Sequence, residues 1–93
     1  QIEGGVIFGL SAALSGEITI ADGRVEQSNF HDYTVFRMTD APRIDIHIVD
    51  STAEVGGLGE PPVAAVMPAL ANAVCALTRK RIPRLPILKT LAV

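Results

Sequence analysis

A glycine- and proline-rich segment at residues 51–62 constrains the fold of this 93-residue chain more than any other feature. It contains Gly56, Gly57 and Gly59, followed by Glu60 and then by two prolines. Glycine leaves the backbone free and proline fixes φ, so the segment favours neither a helix interior nor a central strand. The segment therefore separates an N-terminal part of mixed elements from an apolar C-terminal part.

Apolar residues recur at helical spacing on both sides of this segment. They predict a first helix over residues 2–14, which Gly16 would end in the left-handed conformation. They predict a second helix along the apolar residues from Val63 to Leu77. Pro68 lies inside that second pattern, so the helix either begins near Pro68 or is kinked there.

Three glycines lie inside the first predicted helix, at positions 4, 5 and 9. Each costs a helix roughly 1 kcal/mol relative to alanine, so their presence needs an explanation. One explanation is close packing of the helix on a sheet. The other is that backbone N–H groups near the start of the helix closely approach an anionic ligand.

The region between the helices predicts a small sheet. Residues 17–20 and 24–27 alternate around Asp22 and Gly23, which is typical of a hairpin with a type I′ turn. Three isoleucines alternate with polar residues over 44–48 and predict a further strand. Residues 29–40 are expected to form a long connection or an irregular strand. The predicted fold is α+β: two helices on a small, mainly antiparallel sheet, in the order helix, hairpin, strand, loop, helix.

Composition excludes several classes of protein. The net charge is −2, whereas a protein that binds nucleic acid needs a basic surface. The chain is 48% hydrophobic with a mean hydropathy of +0.36, which is too apolar for intrinsic disorder. No apolar run approaches the ~20 residues of a membrane span, and the N-terminus lacks the basic region of a secretory signal. We expect a single domain or a fragment over 1–93, with part of its apolar surface covered by other protein.

Glu60 is the strongest candidate for a chemical role. Glycines before it allow the backbone to lie against a ligand, and the prolines after it fix where the carboxylate points. A general base would be presented in this way. The alternative is an ordinary surface loop in which Glu60 interacts with the dipole of the following helix.

Other polar residues favour structural roles. His31 and Asp32 resemble part of a catalytic triad, but they are adjacent on the chain and fit a polar loop pair better. His47 is expected on the exposed face of its strand, and Cys75 in the core. A lone cysteine excludes an internal disulfide and indicates a reducing or cofactor-assembling compartment. Four basic residues near the end of the second helix fit a helix cap better than an anion site: Arg79, Lys80, Arg81 and Arg84.

Six segments, in this order, carry a resemblance to a known family. They are Gln1-Ile2-Glu3-Gly4-Gly5 with Phe8-Gly9-Leu10, residues 23–33, Arg37-Met38, residues 56–61, Ala71-Asn72-Ala73, and Lys80-Arg81-Ile82 with Leu85-Pro86. Together they resemble the C-terminal part of the molybdenum-binding subunit of the xanthine dehydrogenase/aldehyde oxidase family, most closely the isoquinoline 1-oxidoreductase beta subunit type. The resemblance extends from Gln1 to about Ile87.

The resemblance implies a site in this chain. Glu60 takes the position of the family's catalytic glutamate, the base for hydroxylation of an N-heterocycle or aldehyde with oxygen from water. Gln1 matches a glutamine whose amide bonds the pterin, and Gly57, Leu58 and Gly59 match backbone that lies against the cofactor.

The resemblance also implies cofactors and partners. The complete enzyme would hold molybdenum on a pterin, in bacteria commonly as molybdopterin cytosine dinucleotide. The rest of the subunit and a [2Fe-2S] small subunit would be needed, in the cytoplasm or, as an assembled complex, in the periplasm. We expect the isolated chain to hold no cofactor, to be inactive and to self-associate. The alternatives are a structural or interaction module, a non-catalytic subunit that retains the fold, and a separate small-molecule-binding domain.

Overall fold

A computed structural model of the protein describes residues 1–92. Its elements in chain order are α1 (Ile2–Leu14), β1 (Ile20–Ala21), β2 (Arg24–Val25), a 3-10 turn (Met38–Asp40), α2 (Pro61–Thr78) and α3 (Ile87–Leu91). Three helices with a two-stranded antiparallel sheet confirm the α+β class. The two long helices pack on each other rather than on the sheet.

Glycine makes the crossing of α1 and α2 close. A Cβ added at Gly5 would lie 2.9 Å from Cβ of Pro62 and 3.0 Å from the carbonyl oxygen of Gly59. A Cβ added at Gly9 would overlap Val66 of α2. The packing explanation of these two glycines is therefore right, but the partner is a helix and not a sheet.

The hairpin confirms the predicted turn. Ile20 pairs with Val25, and Asp22 and Gly23 take φ of 49° and 73°, as a type I′ turn requires. The strands are only two residues long. Side-chain bonds extend the pairing, because the amide of Gln27 donates to the Thr19 hydroxyl and its Oε1 accepts from the Thr19 N–H, both at 2.8 Å.

The strand predicted over 44–48 is wrong. Within residues 1–92 this segment pairs with no other strand, and Ile48 is 82% exposed. Alternation predicts which face of a strand would be buried, but a strand also needs a neighbour for its backbone groups. Among the described residues the sheet consists of β1 and β2, and residues 44–48 pair with neither strand.

Both predicted helix ends need correction. α1 ends at Leu14 and is capped by Ser15, whose φ is −136°. The N–H groups of Ser15 and Gly16 both donate to the Ser11 carbonyl, without a left-handed glycine. In α2 the left-handed residue is Arg79, with φ of 62°. Lys80 and Arg81 therefore lie beyond the helix rather than in its last turn.

α2 begins at Pro61 and continues through Pro68, so the helix does not start near Pro68. Proline is tolerated at the first helical position, which fits Pro61. The resulting helix has 18 residues and a mean hydropathy of 1.5, so by length and composition it could cross a membrane. The expectation that no apolar run reaches that length is wrong for this helix. Core helices of soluble proteins pass the same test, and one face of α2 packs on α1.

Pro83 and Pro86 predicted an extended tail, but residues 87–91 after them form α3. Ile87 of α3 is fully buried, together with Leu10 and Ala13 of α1. Lys89 reinforces this contact through an ion pair with Glu17, 2.8 Å from Nζ to Oε1. The small core therefore lies at the C-terminal end of α1. Cys75, which was expected in the core, is only half-buried.

Candidate functional site

The crossing of α1 and α2 brings the start of α1 next to the glycine-containing loop that precedes α2. Gln1 immediately precedes α1, and Glu60 immediately precedes α2. The side-chain oxygen of Gln1 lies 3.4 Å from the point that a Cβ on Gly59 would occupy. Residues 58 positions apart in sequence are therefore in contact range, because Gly5 lets α1 approach the loop.

A groove opens at this junction. It is a shallow groove of about 520 Å³ that is largely open to solvent. Its lining consists of Gln1, Gly4, Gly5, Phe8, Gly59, Glu60 and Val63. We call it the Glu60 groove. Three of the five predicted site residues, Gln1, Gly59 and Glu60, lie in it.

The backbone of Glu60 starts α2, and its side chain remains available. Its φ and ψ are −87° and −36°, and its carbonyl accepts the N–H of Val63 at 2.9 Å. The carboxylate makes no capping hydrogen bond to the helix. The side chain is exposed and lines the groove, so its oxygens can accept a proton from a molecule bound there.

Gly57 and Leu58 are not in the lining of the Glu60 groove. A Cβ added at Gly57 would meet nothing within 4 Å, and Leu58 is 45% exposed. Both residues are exposed in the loop that leads to Glu60. Their predicted contact with a cofactor stays a prediction.

Sequence reasoning did not select Phe8 and Val63 as groove residues. Phe8 follows Gly4 by one helical turn, so the two share a face of α1. Val63 follows Glu60 by three residues and lies on the same side of α2. The available signal was an aromatic residue one turn after a glycine at the start of a helix.

The pair His31 and Asp32 forms a closed turn rather than a catalytic arrangement. Asp32 accepts hydrogen bonds from the N–H groups of Ser28 and Asn29 at 2.9 Å and from the Ser28 hydroxyl at 3.0 Å. The Asn29 and Ser28 amides lower the pKa of Asp32 from 3.8 to about 2. His31 Nε2 lies 3.5 Å from the carboxylate, so the two side chains do not point to opposite faces.

Metal-binding side chains do not cluster in the described part of the chain. Residues 1–92 contain no group of three or more histidine, cysteine, aspartate or glutamate side chains that could hold an ion. His47 is exposed on the unpaired segment. The Glu60 groove instead offers a side-chain amide, bare glycine backbone and one carboxylate, which suit an organic ligand.

Comparison with known proteins gives relatives along nearly the whole chain. It is 37% identical over 92 residues to isoquinoline 1-oxidoreductase subunit beta of Brevundimonas diminuta. It is 36% identical over 87 residues to a membrane-bound aldehyde dehydrogenase (pyrroloquinoline-quinone) of Gluconacetobacter polyoxogenes. It is 34% identical over 94 aligned positions to the xanthine dehydrogenase molybdenum-binding subunit of Escherichia coli O157:H7.

These alignments cover 99%, 94% and 94% of this chain. They cover only 12%, 11% and 12% of the respective relatives, so the chain spans about an eighth of their length. No family model matches.

Proposed function

We propose, from the premise that this chain is homologous to part of the molybdenum-binding subunits of the xanthine dehydrogenase family, that Glu60 is the general base of a hydroxylation site. The observation that supports this most directly is the uncapped carboxylate of Glu60 beside Gln1 and Gly59 in one groove. The substrate class would be N-heterocycles or aldehydes, with oxygen taken from water.

The groove supports a contact with the organic part of a pterin cofactor. The Gln1 amide can both donate and accept hydrogen bonds, and Gly59 has no side chain to hold a planar group away. The described residues do not include a ligand set for the metal itself. When bound, a molybdenum-pterin group would supply the two-electron oxidation and the oxygen derived from water.

The role of Glu60 in this proposal is proton transfer. Its carboxylate accepts a proton from the attacking oxygen, which becomes more nucleophilic as the proton leaves. The prolines at 61 and 62 fix the backbone that carries the carboxylate. Gln1 and Gly59 would hold the organic part of the cofactor beside Glu60, so this chain would contribute orientation as well as a base.

The remaining parts of the enzyme would come from other protein. The proposal places residues 1–93 in the C-terminal part of the subunit and requires its remainder together with a [2Fe-2S] small subunit for electron removal. The cofactor would be the cytosine dinucleotide form. The assembled bacterial complex would work in the cytoplasm or periplasm, and the chain alone would hold no cofactor and turn over no substrate.

Glu60→Gln in the assembled enzyme tests the proposal. The substitution keeps the size of the side chain and removes the base, so kcat should fall about 10²–10⁴-fold while assembly persists. Glu54→Gln in the same loop is the matched control, because Glu54 is exposed and lies outside the groove. Unchanged turnover in Glu60→Gln would instead support a structural module that has kept the fold.

Metal analysis of the same assembled enzyme tests the cofactor. Stoichiometric molybdenum is expected. The name of one relative includes pyrroloquinoline quinone instead. Detection of this quinone in the purified enzyme, without molybdenum, would overturn the cofactor assignment.

A further inference from the structure

The segment of residues 43–49 has backbone groups without partners. Within residues 1–92, no backbone N–H or carbonyl of this segment forms a hydrogen bond, and it pairs with neither strand of the sheet. The segment is also accessible, since Ile48 and Val49 are 82% and 85% exposed. An exposed row of unpaired N–H and C=O groups is a template for pairing with a strand of another chain. A complete partner for this segment must therefore supply backbone hydrogen bonds as well as apolar contact.

The side chains at the start of this segment are arranged as in a strand. The guanidinium of Arg43 donates to Oδ1 of Asp45 from Nη2 at 3.0 Å and from Nε at 3.1 Å. Residues two apart share a face of a strand, so this ion pair fits an extended backbone with the isoleucines on the other face. Among the described residues, Oδ2 of Asp45 accepts no hydrogen bond. That oxygen can therefore accept one from another chain.

The sequence of residues 44–48 is nearly symmetric about its centre. It reads Ile-Asp-Ile-His-Ile, with Ile46 in the middle. When two copies pair antiparallel about Ile46, isoleucine lies opposite isoleucine at three positions and Asp45 lies opposite His47 at two. The imidazole of His47 can donate an N–H to the carboxylate opposite it. Apolar pairs and hydrogen-bonded pairs across two strands both stabilise the pairing.

Other registers match less well. A shift by one residue places the isoleucines on the face of the polar residues. A shift by two residues separates Asp45 from His47, and parallel pairing in register places Asp45 opposite Asp45. Two carboxylates directly opposite each other destabilise a strand pair. The segment therefore favours a two-fold pair of identical strands.

We propose that residues 44–48 pair antiparallel with the same residues of a second copy of the chain and so join two chains into a dimer. The second copy is the partner that fits, because each strand carries both members of the Asp45 and His47 pair. The inference goes beyond the proposed function, since it uses no residue of the Glu60 groove. It stands or falls without reference to turnover.

Sedimentation equilibrium of the full chain tests the dimer. The expected mass at high concentration is twice the 9.8 kDa of one chain. Ile46→Pro removes a backbone N–H from the centre of the pair and should raise the dimer Kd at least about tenfold. Val55→Pro is the matched control, because Val55 is fully exposed and lies outside the segment, so the Kd should not change. Both positions lie outside the helices and strands, and circular dichroism checks that the fold persists.

Two results of this experiment would overturn the inference. One is an equal Kd for Ile46→Pro and the wild type, which would assign self-association to another surface. The other is a monomer at every concentration, which would leave the segment to a strand of a different protein.

Charge variants test the register. His47→Asp places a carboxylate opposite Asp45 at both positions and should raise the dimer Kd about tenfold. Adding Asp45→His in the same chain recreates both pairs with their members exchanged, so the double variant should recover the wild-type Kd. A double variant that dimerises as weakly as His47→Asp would overturn the proposed register.

Cysteine variants test the direction of pairing. In a Cys75→Ser background, chains with Ile44→Cys are mixed with chains with Ile48→Cys and oxidised with copper phenanthroline. Antiparallel pairing places residues 44 and 48 opposite each other, so mass spectrometry should detect mainly disulfides between the two different variants. Disulfides formed mainly within each variant, or equally in all combinations, would overturn the antiparallel pair.

Discussion

At the scale of single residues, the glycines of α1 have different surroundings. Gly5 and Gly9 face α2, and Gly4 faces solvent in the Glu60 groove. In an isolated helix each of them would lower helix stability by roughly 1 kcal/mol relative to alanine. Their effect on the folded protein therefore depends on what an added methyl group would meet.

Alanine substitution at these glycines should have opposite effects. Gly9→Ala forces a methyl group into Val66 and should lower the melting temperature, with Gly5→Ala acting in the same direction against Pro62. Gly4→Ala should leave the melting temperature unchanged or raise it. The expected gain in the free energy of unfolding is up to about 1 kcal/mol. Circular dichroism melts of the three variants provide the measurement. Equal melting temperatures would contradict the close helix crossing.

Asp32 gives a pH-dependent prediction. Because its pKa is lowered from 3.8 to about 2, its contribution to the turn is fully present above pH 3.8 and is lost as the pH falls towards 2. Hydrogen exchange of the Ser28 and Asn29 amides should therefore accelerate over that range. Asp32→Asn should accelerate it at neutral pH, and Asp45→Asn, which alters an exposed ion pair, should not. Unchanged exchange in Asp32→Asn would show that the carboxylate does not hold the turn.

The sequence predicted Gln1 and Glu60 as site residues but not the apolar residues of the same groove, Phe8 and Val63. Glu60 stands between glycines and prolines, a pattern that is local and visible in the sequence. Phe8 has no such signal, because its exposure depends on how far α2 and residues 33–36 reach along α1. Burial of an aromatic residue is decided by tertiary packing, so it could not be read from spacing alone.

At the scale of elements, α2 contains an unusual proline. Pro68 lies inside the helix and is exposed, and it lacks the N–H that would bond to the carbonyl of Ala64. Pro68→Ala should restore that bond and stabilise the helix, by up to about 3 kcal/mol. Chemical denaturation followed by circular dichroism measures the change. Pro61→Ala, at the first helical position, should change little, and equal effects of the two would contradict the assigned helix start.

α3 is held mainly by one side chain. Ile87 is fully buried, so Ile87→Ala should cost about 2–5 kcal/mol and release α3 from α1. Leu88→Ala is the control, since Leu88 is 56% exposed. Lys89→Met should cost less than about 1 kcal/mol, because its ion pair with Glu17 is exposed to solvent. Ile87→Ala should therefore lower the denaturation midpoint more than Leu88→Ala or Lys89→Met does. A larger loss from Leu88→Ala than from Ile87→Ala would contradict the packing.

Local signals predicted the elements whose partners are close in sequence. The hairpin depends on Asp22 and Gly23, and α1 on its own spacing, so both were predicted correctly. The strand over 44–48 and α3 depend on distant partners. The first finds no neighbour among the described residues, and the second forms because Ile87 has a buried site at α1.

At the scale of the whole molecule, the chain is extended for its length. Its Cα radius of gyration is 15.9 Å, against about 12 Å for a compact domain of this size. Its accessible surface is 7613 Å², against roughly 5,200 Å² for a typical folded monomer of the same mass. The exposed apolar side chains include Val49, Val55 and Leu77. This surface supports the proposal that other protein covers the chain.

Without such a partner, the chain should self-associate. Apolar surface in water favours contacts between copies, at roughly 25 cal/mol per Å² removed from solvent. Light scattering coupled to size exclusion should therefore give a mass above the 9.8 kDa of one chain. Addition of the remaining subunits should replace self-association by a mixed complex. A clean monomer would contradict the assignment of this surface to an interface.

The position of Tyr33 beside α1 has an optical consequence. The chain contains one tyrosine and no tryptophan, so all of its tyrosine emission comes from Tyr33. That ring lines a groove together with Phe8, and its hydroxyl lies close to Gly16 at the end of α1. Excitation near the red edge of tyrosine absorption therefore reads one defined place in the molecule, without labelling. Binding of a ligand or docking of a partner at this groove can therefore be followed by the intrinsic fluorescence of Tyr33.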